Sequence, residues 1–359
     1  MVPAALIPVP DAIPVGWGWF QFLLTLTFYL HIVAMNIMLG TVIIAFTHHS
    51  VTEGRHLPLT EQIAGKLPYS IALTVNLGVA PLLFAQVIYG HFIYVSSILM
   101  AAFWLSIVAL LIIGYYSAYI YMYKYRAMQT GRIITSGVTM LALLCIGFFL
   151  SNNMTLMLHP EKWQRFFDHP NGFLLNLDDP TLLPRYLHMV VSAIAVGGLA
   201  IALWYTYQQA KGRKECSPWI RYGCTWFAAA TFANFGIGFW FFGTLPQGLI
   251  DVHTLAGAAF VLLLIASIVC AALSVIHALQ GRVLSATGLT LALILLMVFM
   301  RDILRSLYLH PWFRLGNLPV ETAWSPFLVF LLSLVAGLVL VGWMLKTTYD
   351  KLHAEEARS

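Results

Sequence analysis

Twelve histidines stand beside only fourteen acidic residues in this chain of 359 residues. Six of the histidines form two sets of three along the chain: His31, His91 and His159, then His188, His253 and His310. Neutral imidazole is a common axial ligand of haem iron. The recurrence therefore predicts iron ligation. The alternative is a set of helix-end histidines that only hydrogen-bond to backbone carbonyls.

The residues around these histidines recur as well. Tyr-Leu-His and Leu-His-Pro each occur twice, at 29–31 and 186–188 and at 158–160 and 309–311. A glycine follows nine residues after the first histidine of each set, at Gly40 and Gly197. Recurrence in the same order predicts an internal repeat, with one copy at roughly 17–160 and the other at 184–311.

The elements that carry the histidines are predicted to be membrane-spanning helices. The chain is 60% apolar and 9% charged, with a mean hydropathy of +0.83, which excludes a soluble enzyme and a nucleic-acid-binding protein. Nine segments reach the length that spans a bilayer: 19–46, 67–89, 92–122, 134–157, 186–209, 221–245, 253–278, 284–308 and 326–346. We expect an all-α polytopic membrane protein with two pseudo-symmetric four-helix units and one extra helix at 326–346.

The charges of the loops predict the orientation. Thirteen of the nineteen basic residues lie in the loops after odd-numbered spans or in the C-terminal tail. Positive charge stays on the cytoplasmic side, so the N-terminus is predicted outside and the C-terminus in the cytoplasm of a bacterial-type cell membrane. This orientation puts His91, His159, His188, His253 and His310 near the outer face, and His31 deeper.

The histidines pair most simply across the repeat. His188 with His253, and His31 with His91, are predicted to ligate two haem b groups, with His91 and His253 at the outer starts of helices three and seven. His159 and His310, each before a proline, are reserve ligands. The four cysteines stand singly without C-x-x-C, which excludes covalent c-type haem and iron–sulfur boxes.

Charged residues near the histidines complete the candidate site. Asp302 is the one carboxylate clearly inside a predicted span, between Arg301 and Arg305. The arginines, with Arg185, are predicted to bind haem propionates, and a structural ion pair at the helix end is the alternative.

These residues resemble the first helix of subunit I of the cytochrome bd oxidases. Phe20-Gln21-Phe22-Leu23-Leu24-Thr25 precedes His31, and Leu39-Gly40 ends nine residues after it, where that family has Q-F-x-L-T, a haem-ligand histidine and L-G. Shorter matches lie at Ser151-Asn152-Asn153, Trp163-Gln164, Gly197-Gly198 and Pro311-Trp312. The resemblance implies that His31 and His188 occupy haem-ligand positions.

The chain also departs from that family. The methionine ligand in helix seven falls near His253, which implies a bis-histidine haem. The carboxylates of helices three and eight fall near Ser106 and Ser306, and the quinol-binding loop is reduced to about 244–251. The groups that oxygen reduction requires are therefore missing.

We expect a membrane b-type cytochrome that passes electrons between membrane quinone and an outer-face partner, a c-type cytochrome or another redox subunit. Arg301, Asp302, His159 and His310 are the polar groups available for quinone protons. A divergent terminal oxidase that reduces oxygen is the first alternative, and a haem-free membrane anchor is the second.

Overall fold

The computed structural model describes the backbone of residues 3–168 and 170–356, with side chains from 5 to 168 and from 170 to 351. The long helices of this part are α1 Trp17–Val51, α2 Pro58–Leu99, α3 Ala101–Tyr123, α4 Thr130–Met157, α5 Leu182–Ala210, α6 Ser217–Gly243, α7 Leu255–Leu279, α8 Val283–Leu309 and α9 Trp324–Glu356. No strand occurs among the described residues, and the predicted all-α fold is confirmed.

Eight of the helices are long and apolar enough to cross a membrane, so the chain is a polytopic membrane protein. The exception is α6, which corresponds to the sixth predicted span. It has a comparable length, but glycine, tryptophan and tyrosine make up much of its sequence and lower its hydropathy.

The predicted boundary between spans two and three is wrong. The sequence analysis separated them at residues 90–91. In the structure α2 continues to Leu99, and Met100 separates it from α3. Tyr89 leaves helical geometry, with φ −129° and ψ 21°, so this position is a kink inside the helix. His91 consequently lies in the last turns of α2 and not at the start of a third helix.

The helices pack in pairs that follow the predicted repeat. α1 packs on α2 and α3 on α4, and likewise α5 on α6 and α7 on α8. α1 and α5 join the halves through Gly40 and Gly197. A Cβ on Gly40 would lie 1.8 Å from the Ala193 carbonyl oxygen, and one on Gly197 would lie 2.5 Å from the carbonyl carbon of Gly40. Equivalent residues of the two halves thus meet, as a twofold axis between α1 and α5 requires.

The loops gather at two ends of the bundle. At the basic end, which comprises loops 52–57, 124–129, 211–216 and 280–282, Arg126 Nε donates to Glu61 Oε1 over 2.6 Å. Arg132 is buried there, and its guanidinium donates to the carbonyls of Gly54 and Tyr125 over 2.7 and 2.8 Å. The opposite end comprises the described residues of the loops 158–168 with 170–181, 244–254 and 310–323.

Candidate functional site

His31 lies in the middle of α1 and packs directly on α2. Its Nδ1 lies 3.0 Å from the carbonyl oxygen of Thr74, which can only accept, so Nδ1 carries the proton and donates. Gly78, one turn along α2, makes room for the ring, because a Cβ there would lie 2.8 Å from the ring carbon Cε1. Nε2 therefore keeps its lone pair, which is the state in which histidine binds a metal.

His188 occupies a matching place between α5 and α6. A Cβ on Gly238 would lie 3.4 Å from its Cε1 and 3.5 Å from its Nδ1. The carbonyl of Asn234 also faces the ring, although Nδ1 forms no hydrogen bond of good geometry with any described residue. Asn234 is itself fixed, since its Nδ2 donates to Ser192 Oγ over 2.7 Å.

The two histidines therefore have equivalent partners in the two halves. A carbonyl faces each ring, from Thr74 or from Asn234, and a glycine four residues later, Gly78 or Gly238, contacts it. Residues four apart lie on the same face of a helix, so each pair forms one binding surface. Sequence analysis missed all four residues. The pattern that marks them is a polar residue four positions before a glycine. It can be recognised only when it is known that α1 packs on α2 and that α5 packs on α6.

The structure does not bring the other two predicted ligands into these places. His91 lies thirteen residues beyond Gly78 on α2, which is about 20 Å along a helix of 1.5 Å rise per residue. His31 contacts α2 at Gly78, whereas two axial ligands of one iron must approach the same atom from opposite sides. His91 instead packs against Phe92 in a tilted arrangement and against Phe313 edge to face, with ring centroids 4.4 and 4.6 Å away.

His253 lies in the loop before α7, not inside that helix. α7 begins at Leu255, and the preceding Thr254 caps it by accepting a hydrogen bond from Gly257 N over 3.1 Å. The backbone N–H of His253 donates to Asp251 Oδ1 over 2.9 Å, and its side chain is exposed. His188, by contrast, lies within the helix packing, so the predicted pairing with His253 has no contact that supports it.

Both ring nitrogens of His159 are held by carboxylates. Nδ1 lies 2.6 Å from Glu161 Oε1, and Nε2 lies 3.2 Å from Asp179 Oδ2. Burial alone would lower the pKa of His159, but the two carboxylates outweigh it and raise this pKa to about 9. Neither nitrogen is thus free for iron. His310, the other reserve ligand, is exposed at the end of α8.

Asp302 on α8 is bound by residues of both halves of the chain. Its Oδ2 accepts from Thr25 Oγ1 over 2.8 Å and from Gln21 Nε2 over 3.0 Å, both on α1. Its Oδ1 accepts from Arg305 Nη2 and lies 3.6 Å from Arg301 Nη1. The carboxylate therefore ties α8 to the first helix.

The three predicted arginines lie against aromatic rings inside the bundle. Each guanidinium carbon is within 5.1 Å of a ring centroid: Arg301 over Phe28 at 4.0 Å, Arg305 over Tyr89 at 4.5 Å and Arg185 near Phe241 at 5.1 Å. Arg301 Nη1, Arg305 Nε and Arg185 Nε have no hydrogen-bond partner among the described residues. A buried donor without a partner can bind an anion.

Two parts of this site are only partly buried. Arg301 touches Phe28 on α1 and lies 4.0 Å from Met154 Sδ on α4, yet 27% of its side-chain surface remains accessible. All eight residues of 185–192, which cover every side of α5, are only half-buried. The described residues therefore do not fully enclose the arginines.

No model of a known protein family matches the chain, and no curated protein matches it at a significant level.

Proposed function

We propose that this chain is a membrane b-type cytochrome that passes electrons between the quinone pool and a redox partner. The partner would bind at the end of the bundle that lies opposite the basic loops. The observation that supports this most is the equivalence of His31 and His188. Each is a repeat-equivalent histidine inside the bundle, packed on a glycine and faced by a carbonyl four residues before it. The same arrangement therefore occurs in both halves.

The residues present fit haem b. His31 offers Nε2 while its Nδ1 is fixed by Thr74, the second-shell contact typical of metal-bound histidine. Arg305 is buried and Arg185 and Arg301 are half-buried, and each has a buried donor nitrogen without a hydrogen-bond partner that could bind a propionate. A bound haem b supplies a one-electron carrier. The protein supplies the axial nitrogen, the counter-charges and an apolar surrounding that excludes water.

In the predicted orientation the opposite end is the outer face. Electrons delivered there would pass to a c-type cytochrome or another redox subunit, because no motif for a soluble electron carrier occurs in the sequence. Quinone would react near the same face, where Asp302 and the arginines are the intramembrane polar groups.

The test is a pyridine haemochrome assay on the purified chain, with haem and protein quantified together. We expect two haem b per chain, and His31→Ala and His188→Ala should each remove about one equivalent because each loses an axial nitrogen. His277→Ala is the matched control, since His277 is a half-buried histidine of α7 at the basic end, and it should keep both haems.

The same assay tests whether His91 and His253 are the second ligands of the haems at His31 and His188. His91 lies about 20 Å along α2 from Gly78, and His253 is exposed in a loop. We therefore expect the His91→Ala and His253→Ala variants to keep full haem content as well. A wild-type chain without b-type absorbance would overturn the proposed function. Loss of haem from His253→Ala would instead restore the bis-histidine pairing.

A further inference from the structure

We propose that Arg185, Arg301 and Arg305 form one carboxylate-binding site shared by both halves of the repeat, which binds the acidic groups of the haem at His31 and of the haem at His188 alike. This inference rests on the proposed function. It goes further because, in a shared site, the same arginine charges would act on both haems. In separate sites, each haem would have its own set of charges.

The cluster carries more positive than negative charge. Two guanidiniums, those of Arg301 and Arg305, lie at one carboxylate, Asp302, and the guanidinium of Arg185 is within electrostatic range of Arg301. Asp179 also acts on Arg185, but it is already paired with His159. Excess charge inside a membrane protein is costly unless an anion compensates it. The unpartnered donors of the arginines show where that anion would bind.

The repeat shows why one cluster serves two sites. Phe28 stands three residues before His31, as Arg185 does before His188, and Met154 stands five before His159, as Arg305 does before His310. The first half thus has apolar residues where the second half has cations. Arg301 contacts both of these apolar residues, with its guanidinium 4.0 Å from the Phe28 ring centroid and 4.0 Å from Met154 Sδ. The second half therefore supplies the cation that the first half lacks.

The contacts of Asp302 and Arg305 place the cluster between the halves. Gln21 and Thr25 of α1 donate to the Asp302 carboxylate. The Arg305 guanidinium lies over Tyr89 at the kink of α2. Arg185 of α5 is within electrostatic range of Arg301. Helices of both halves thus meet at one group of charges.

The expected ligand is a carboxylate. Planar guanidiniums bind carboxylates with two parallel hydrogen bonds, and their charge is permanent. A positive charge near a haem favours the reduced state, because reduction adds an electron. One charge shared by two haems therefore shifts both midpoint potentials in the same direction.

The experiment is a spectroscopic redox titration of the haem-loaded chain. Arg301→Gln should lower both midpoint potentials, because it removes a shared positive charge. Asp302→Asn should raise both, because it removes a negative charge while its amide oxygen can still accept from Thr25. Arg282→Gln, at an exposed arginine of the basic end, is the control and should change neither potential.

A shift confined to one haem, or no shift in either variant, would overturn the shared site. Should Arg301→Gln fail to fold, Asp302→Asn carries the test alone, since its predicted shift has the opposite sign. The proposed function has a separate test. A wild-type chain that binds no haem would contradict the proposed function, whereas a chain with two haems of which only one responds would contradict only the shared site.

Discussion

The protonation state of single histidines separates two kinds of site in this bundle. His31 has one nitrogen bonded to a carbonyl and the other available, while both nitrogens of His159 are occupied by Glu161 and Asp179. In the sequence, His31 lies within a predicted span and His159 lies at the end of one, and both were candidate ligands. Only their hydrogen-bond partners distinguish the proposed ligand, His31, from the structural cation, His159.

The His159 cluster predicts how stability depends on pH. Its folded pKa is raised from 6.5 to about 9, so the protonated ring stabilises the fold fully below pH 6.5. This contribution is lost as the pH rises from 6.5 through 9. Thermal unfolding in detergent should show a falling Tm over this window in the wild-type chain.

His159→Gln is the comparison for that measurement. It should unfold at a lower temperature than the wild type at pH 6, and the difference should shrink by pH 10. A difference that stays constant between these pH values would show that the ring packs against Tyr308, 5.4 Å away between centroids, without contributing through its charge.

At the scale of helices, the contact between α1 and α5 depends on the absence of two side chains. Gly40→Ala would put a Cβ 1.8 Å from a backbone oxygen of α5, and backbone cannot move aside as a side chain can. We expect a destabilisation of about 1–3 kcal/mol or more, typical of overpacking. Thermal unfolding measures it.

The control for this substitution is Gly236→Ala in α6, where a Cβ would have nothing within 4 Å. Alanine is the better helix former by up to about 1 kcal/mol, so this variant should be neutral or more stable. Equal stability of Gly40→Ala and Gly236→Ala would contradict the close contact of α1 and α5.

Helices were more predictable from the sequence than the contacts between them. Apolar length located α1 and α5 because a bilayer demands it. The Tyr89-Gly90-His91 step looked like a boundary, since a kink and an end both interrupt an apolar pattern. The bonds of Gln21 and Thr25 to Asp302 join residues 281 and 277 positions apart, and no local pattern reports such a contact.

At the scale of the whole molecule, the polar groups inside the bundle predict that the protein does not reduce oxygen. Ser106 on α3 donates to its own helix at the Phe103 carbonyl over 2.7 Å, and no acidic residue lies in α3. Reduction of oxygen needs protons delivered to the haem by such groups. The purified, haem-loaded chain should therefore consume no oxygen with quinol as donor. An oxygen electrode measures this, and sustained cyanide-resistant uptake would restore the terminal oxidase alternative.

The meeting of Gly40 with Gly197 has a consequence for the origin of the chain. A contact in which each half offers the same residue is the interface of a C2 homodimer, self-complementary by construction. Joining two such subunits end to end needs only a connection on one side, which the segment 158–181 provides. Within one chain the two halves can differ: the first has Phe28 and Met154 where the second has Arg185 and Arg305. Unequal charge on an equal scaffold is something a true homodimer cannot evolve.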